Sequence, residues 1–164
     1  MNEIDKWVQN GKVFLWRYTE NTRNYPGWHL ALDFPAANSL LTLFSLMKGL
    51  NQPTMRTIRL SKPGSDVLAI PNNRRSGIVS KDKVRVNWTP DRKDEWSIDE
   101  PNDEVIMRLG ERVLANIENA IQNPSKAFDT TIAMEPILWF WGIIDKSTAN
   151  KALKRDAAKD RRAP

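Results

Sequence analysis

The stretch that most constrains the fold is ILWFWGII, residues 137–144, eight apolar residues in a row that follow Pro136. A run of eight is far too short for a helix that crosses a bilayer, which needs about 20 residues. In a helix, Trp139 and Trp141 would point about 200° apart, whereas a strand places both on one face. A continuously apolar run of this length is typical of a strand that is buried on both faces. The segment therefore predicts a central strand of a sheet.

The same stretch permits a second interpretation, in which it exposes an aromatic face to a partner. The chain has 7 tryptophans among its 164 residues, and tryptophan is enriched where proteins meet. The candidate interface residues are Trp139, Phe140 and Trp141, together with Phe44 and Met47 of a predicted helix. The sequence leaves both interpretations open.

Apolar and polar residues alternate in several other segments and predict further strands. In WHLALDF, residues 28–34, the even-numbered positions are apolar, which predicts a half-buried strand with His29 and Asp33 toward solvent. PNNRRSGIVSK, residues 71–81, is expected to be an exposed loop. The remaining predicted strands are KVFLWRY (12–18), MRTIRL (55–60), DVLAI (66–70), KVRVNW (83–88), EWSID (95–99) and EVIMRL (104–109).

Two segments have helical periodicity, at about 36–49 and 111–123. The first has only a narrow polar stripe, so we expect it to be buried on more than one side. For the second, a longer helix from Asp103 is the alternative, but it would place Gly110 inside the helix at a cost of about 1 kcal/mol. The turn sequence EPND before it instead favours a hairpin that ends at Gly110.

These elements predict an α+β fold, in which an antiparallel-rich sheet of about six to eight strands packs against the two helices. Residues 1–144 are expected to form one domain, and residues 145–164 a basic, helix-prone tail. The N-terminal residues lack the apolar segment of a signal peptide, and no apolar run is long enough to span a membrane. We therefore expect a cytoplasmic protein without membrane contact.

The positive charge of the chain is concentrated in its tail. Seven basic and three acidic residues between 145 and 164 account for four of the five net positive charges. In a helix, several of the basic side chains would share one face and could follow a phosphate backbone, although solvated charge is the ordinary explanation. The candidate nucleic-acid contacts are Lys151, Lys154, Arg155, Lys159 and Arg162.

Two further groups of charged residues are candidate binding sites. Arg74 and Arg75 lie beside a glycine-containing turn and are candidates for binding one phosphate or carboxylate. An acidic group between 91 and 104 could in principle bind a divalent cation or transfer protons, but its turns favour ordinary solvated side chains. The acidic group consists of Asp91, Asp94, Glu95, Asp99, Glu100, Asp103 and Glu104.

Residue content excludes several classes of active site. The chain has no cysteine and a single histidine, His29, so cysteine nucleophiles, cysteine zinc sites and multi-histidine metal sites are excluded. In a strand, Asp33 would lie roughly 13 Å from His29, too far to orient it in a catalytic triad. No phosphate-binding glycine motif or nucleophile elbow is present. The sequence therefore predicts no metal site and no cofactor, and an enzyme is the less favoured class.

Two classes of function remain. The first is a non-enzymatic protein-interaction domain that forms a homodimer or binds another protein through apolar and aromatic surface. Small bacterial accessory, inhibitor or immunity-type proteins share this profile, which is an analogy only. The alternative is a nucleic-acid-associated protein that uses the basic tail.

Overall fold

A computed structural model describes residues 2–73 and 75–145, together with positions 151, 154, 155, 157, 158, 161 and 162 of the tail. Both strands and helices are present within these residues, and the predicted α+β class is confirmed. The strands are β1 (Val13–Tyr18), β2 (Trp28–Leu32), β3 (Thr54–Arg59), β4 (Ile78–Ser80), β5 (Lys83–Trp88), β6 (Trp96–Asp99), β7 (Val105–Leu109), β8 (Thr130–Ala133) and β9 (Leu138–Ile143). The helices are α1 (Glu3–Lys6), α2 (Phe34–Leu50), α3 (Ser65–Leu68), α4 (Glu111–Gln122) and α5 (Pro124–Ala127).

The strands form two sheets, where the sequence predicted one. The first sheet has the order β4-β1-β2-β9-β8 and the second has the order β3-β5-β7-β6. The pairs β2–β9 and β5–β7 are parallel, and the other pairs are antiparallel. Along the described strands the chain changes sheet four times, between β2 and β3 through α2, between β3 and β4, between β4 and β5, and between β7 and β8 through α4 and α5. Periodicity identifies strands, but it does not show which sheet receives the strand after a helical connection.

Both sheets and both long helices contribute to one main core, which includes the fully buried Leu15, Leu43, Leu114 and Phe140. A second, smaller apolar layer covers the opposite face of the five-stranded sheet. We call it the aromatic layer, and it contains Phe14, Trp16, Tyr18, Ala31, Val67, Ala69, Ile70 and Trp141.

The aromatic layer changes the environment of β2. All five residues of this strand are buried, including His29. The predictions of a half-buried strand and of a solvent-facing His29 are therefore wrong. The alternation in the sequence is real, but each face of the strand meets an apolar layer, and His29 lies in the aromatic one.

The prediction of a central strand at ILWFWGII is confirmed, because β9 lies between β2 and β8. Phe140 faces the main core, while Trp141 belongs to the aromatic layer. Gly142 then adopts a left-handed conformation with φ +95°, which reverses the alternation. As a result Ile143 packs against the main core and Ile144 against the aromatic layer, the opposite of what strict alternation predicts.

The junction between β2 and α2 also differs from its prediction. The Asp33 carboxylate accepts a hydrogen bond of 2.9 Å from the Ala36 amide, so Asp33 is the N-cap of α2. An N-cap residue satisfies backbone amides that have no partner within the helix. The strand consequently ends at Leu32, and Phe34 lies in the first turn of the helix instead of on the buried face of a strand.

Two local predictions between 61 and 81 are wrong. DVLAI was predicted as a strand, but Ser65–Leu68 form the helical turn α3, which buries Val67 in the aromatic layer. Burial of apolar residues from a helical turn produces a short apolar pattern that resembles a strand. The predicted loop at 71–81 contains the short strand β4, which pairs with β1.

The predicted hairpin and its break at Gly110 are confirmed. Strands β6 and β7 are antiparallel neighbours, and Gly110 is the N-cap of α4. A Cβ atom at this position would overlap the carbonyl oxygen of Arg92. Gly110 is therefore required by a close approach of two backbone segments.

Candidate protein-binding groove

A groove lies between α2, the junction of α4 with α5, and the end of β9. Its volume is about 810 Å³. Phe34, which is 66% exposed, and Phe128, which is 42% exposed, line it. The other lining residues are Ala37, Asn38, Leu41, Ile121, Gln122, Pro124, Ser125, Trp141, Gly142, Ile143 and Asp145.

The inner part of the groove is formed by side chains of the folded core. Ala37, Ile121 and Trp141 are buried and expose only small areas toward it. The Phe128 ring meets the Trp141 ring edge to face, with centroids 6.0 Å apart and planes at 83°. Phe128 Cδ2 would lie 3.3 Å from a Cβ atom on Gly142, so this glycine lets the Phe128 ring approach β9 closely. The base of the groove is thus aromatic.

The exposed face of α2 supplies one side of the groove. Phe34, Asn38 and Leu41 have the spacing i, i+4, i+7, which places them along one face of a helix. Asn38 also borders a neighbouring hollow of about 580 Å³ whose lining includes Val8. The exposed large apolar residues of the described chain are Val8, Phe34, Met55, Phe128 and Met134. Three of these five line the two hollows that share Asn38.

The polar groups of the groove are mostly neutral. Asn38 and Gln122 contribute amides, and Ser125 contributes a hydroxyl group. The lining residues identified in the described chain include one acid, Asp145, but no lysine or arginine, although the whole sequence has 25 of these two residue types. An apolar surface with neutral hydrogen-bonding groups suits the side chains and backbone of another protein.

No protein-family model, curated protein or solved structure matches this chain. Among the described residues, none of the helices has the length and apolar character needed to cross a membrane. The same residues contain no group of three or more histidine, aspartate or glutamate side chains that could hold a metal ion. A functional site is therefore inferred from the geometry of the chain itself.

The interface residues that the sequence suggested lie mainly inside the molecule. Phe44, Met47 and Phe140 are buried in the main core. Trp139 is partly buried against the aromatic layer, and Trp141 is buried but borders the groove. Packing within the chain already accounts for their apolar character, so their role in an interface stays a prediction.

The sequence did not predict the exposure of Phe34 and Phe128, the two large apolar side chains that are exposed in the groove. For Phe34 a signal was present, because an aspartate two residues before Pro35 is typical of the start of a helix. However, the alternation of apolar and polar residues over 28–34 continues through Phe34 and assigns it to the strand. For Phe128 no local signal distinguishes an exposed from a buried aromatic side chain.

His29 is enclosed by aromatic rings and not open to a substrate. Its ring stacks on the Trp16 ring, with centroids 5.6 Å apart, and meets the Tyr18 ring edge to face, with centroids 4.7 Å apart. Trp141 Nε1 donates a 2.9 Å hydrogen bond to His29 Nδ1. Because an indole N–H can only donate, Nδ1 is an acceptor, and the proton lies on Nε2, which is 3.3 Å from the Tyr25 carbonyl oxygen. Burial lowers the pKa of His29 to about 4, so it is a neutral core residue.

Six of the seven acids between 91 and 104 form ion pairs, each with a different basic residue. Carboxylates that face separate cations do not converge on one point, which agrees with the interpretation as turn residues. The pairs are Asp94–Arg112, Glu95–Arg92, Asp99–Arg108, Glu100–Arg17, Asp103–Lys81 and Glu104–Arg85.

The candidate anion site has two residues. Arg75 is exposed, and Arg74 lies outside the described residues.

In the tail, Lys151, Lys154 and Arg162 are exposed and have helical backbone, and Lys159 lies outside the described residues. The Arg155 guanidinium donates hydrogen bonds to the carbonyl oxygens of Ala69 (2.6 Å) and Ile70 (3.0 Å). Arg155 thus holds the tail against the segment that follows α3.

Proposed function

We propose that this chain is a non-enzymatic protein-interaction domain whose groove binds apolar side chains of another protein. The observation that supports the proposal is the exposure of Phe34 and Phe128 in a groove whose base includes Trp141. Soluble proteins rarely leave contiguous apolar surface uncovered unless it binds something. Burial of apolar surface contributes about 25 cal/mol per Å², so covering the exposed parts of the two rings would favour binding.

We also propose that the chain is a homodimer and is located in the cytoplasm. The absence of cysteine from the sequence suits a reducing compartment. The side chains that first suggested a dimer, in α2 and β9, are largely covered within the chain. Support for the dimer comes instead from β3, a six-residue strand at the edge of the four-stranded sheet.

The groove is tested by selecting peptides from a random displayed library against the folded protein and measuring their binding by fluorescence anisotropy. We expect the selected peptides to contain apolar residues. Phe34→Ser and Phe128→Ser should each weaken binding by roughly tenfold to a hundredfold, which corresponds to about 1.4–2.8 kcal/mol. Met134→Ser is the matched control, because Met134 is 58% exposed but does not line the groove. Equal binding by all three variants, or no selected peptide, would contradict the proposal.

The nucleic-acid alternative is supported by one observation, the exposure of Lys151, Lys154 and Arg162. Against it stands Arg155, whose guanidinium is engaged by backbone carbonyl groups. We rank this function second.

A further inference from the structure

The edges of the two sheets differ in how well they are protected from pairing with another chain. Among the described edge strands, β4 has three residues, and β6 and β8 have four each. The register of β8 shifts between Thr131 and Ala133, and the Asn116 amide bonds the carbonyl oxygen of Ile132. Short length, irregularity and capping are the usual protections of an edge. By contrast β3 has six residues and pairs with β5 in an unbroken register.

The backbone groups of β3 that face away from β5 can be identified. The Gln9 side chain bonds both the amide and the carbonyl group of Arg59, at 2.8 and 2.9 Å. The next amide, of Leu60, turns toward β5 and bonds Asp82. Since successive residues of an antiparallel strand face opposite edges, Thr57 and Met55 face the same outer edge as Arg59. Both side chains are exposed.

The open part of this edge has a defined length. Gln9 occupies it at Arg59, and Pro53, just before the strand, has no amide hydrogen to offer. Between these limits lie the amide and carbonyl groups of Met55 and Thr57. If two copies pair antiparallel about Arg56, Met55 of each copy faces Thr57 of the other, and all of these groups are satisfied. If the pair were centred on Met55, Thr57 would face Pro53, which has no amide hydrogen. If it were centred on Thr57, Met55 would face Arg59, whose backbone groups are already bonded to Gln9.

The charge at the centre of such a pair is already compensated. Arg56 would lie opposite Arg56 of the second copy, and like charges in that position are destabilising. Within each copy, however, Arg56 donates a 2.6 Å hydrogen bond to the Asp5 carboxylate. This hydrogen bond stabilises the charged carboxylate and lowers the pKa of Asp5. In a pair centred on Arg56, each Arg56 would therefore already be paired with Asp5 of its own copy.

We propose that β3 pairs antiparallel with β3 of a second copy, with a two-fold axis at Arg56, and joins two four-stranded sheets into one. This inference rests on the homodimer part of the proposed function and gives it a surface. The groove lined by Phe34 and Phe128 is a separate surface and remains available to another protein.

The pairing is tested first by sedimentation velocity. The wild type should have twice the chain mass of 18.9 kDa. Thr57→Pro should sediment as a monomer and keep its circular dichroism spectrum, because the amide it removes does not bond β5. Met55→Lys should also dissociate, whereas Met134→Lys adds the same charge outside β3 and should not.

Hydrogen exchange gives a second, direct measurement. In the wild type, the amides of Met55 and Thr57 should exchange more slowly as protein concentration rises. In Thr57→Pro, which has no amide hydrogen at position 57, the Met55 amide should be unprotected. A monomeric wild type, or a dimer whose Met55 and Thr57 amides exchange rapidly, would overturn the inference. Phe34→Ser should leave the dimer intact, so failure of the groove and failure of the β3 edge are distinguishable.

Discussion

At the scale of single residues, His29 shows how a polar side chain becomes part of an apolar layer. The imidazole accepts a hydrogen bond from Trp141 and lies among the rings of Trp16 and Tyr18. Protonation would place a second N–H opposite the indole N–H of Trp141, and the hydrogen bond would be lost. The arrangement accommodates only the neutral form.

This arrangement predicts that the protein loses stability in mild acid. Burial lowers the folded-state pKa of His29 from 6.5 to about 4, so the unfolded chain takes up a proton first. The contribution of neutral His29 should be complete above pH 6.5 and should be lost as the pH falls toward 4, by roughly 3 kcal/mol in total. Urea denaturation between pH 7 and pH 4 measures it.

His29→Gln is the control for this prediction. The variant should be less stable than the wild type at pH 7, because the packing of the ring is lost. The difference between the two proteins should shrink as the pH falls, since carboxylates contribute equally to both. Stability curves that stay parallel over this range would show that His29 is not the titrating group.

At the scale of elements, β9 depends on the conformation of Gly142. Alanine there would adopt φ +95° with strain, and its Cβ would lie 3.3 Å from the Phe128 ring. We expect Gly142→Ala to lower the free energy of unfolding by about 1–3 kcal/mol and to displace Phe128 from the groove. Denaturation and peptide binding by the same variant measure the two effects.

Gly49 provides a matched glycine-to-alanine control. It lies near the end of α2, and a Cβ atom there would have no neighbour within 4 Å. Gly49→Ala should leave stability unchanged or raise it by up to about 1 kcal/mol, because alanine favours helix. If Gly142→Ala were as stable as Gly49→Ala, the left-handed bulge would not be essential to β9.

At the scale of the whole molecule, the position of the charge separates the two proposed functions. Residues 145–164 carry most of the net charge, so nucleic-acid binding would depend on the tail. We expect the intact protein not to bind single- or double-stranded oligonucleotides at about 50 mM salt, as measured by fluorescence anisotropy. Binding that falls steeply with salt would support the alternative instead.

Two variants identify the residues responsible if binding is observed. Deletion of residues 146–164 removes the tail but also the hydrogen bonds from Arg155 to Ala69 and Ile70. A triple substitution of Lys151, Lys154 and Arg162 by glutamine removes exposed charge and leaves Arg155 in place. Loss of binding in both variants would assign it to the tail, and retention in both would assign it to the rest of the chain.

The sequence by itself determined the fold class and several of the elements. Strands β1, β3, β5 and β9 and helix α4 were predicted close to their observed bounds, because apolar periodicity is a local property of the chain. The break at Gly110 followed from the low helix propensity of glycine. The continuous run at β9 correctly indicated a strand with both faces covered.

Only the tertiary structure decided which surfaces are buried and which remain open. Periodicity gives two faces for β2, but the aromatic layer on its second face comes partly from residues around α3, which are remote in sequence. Phe34 is exposed because the Asp33 cap turns the chain into α2, and the Phe128 ring can lie close to β9 because position 142 is a glycine. The open edge of β3 depends on where Gln9 binds, 50 residues away in the chain. Such contacts between distant segments leave no periodic trace in the sequence, because burial depends on what packs against a face.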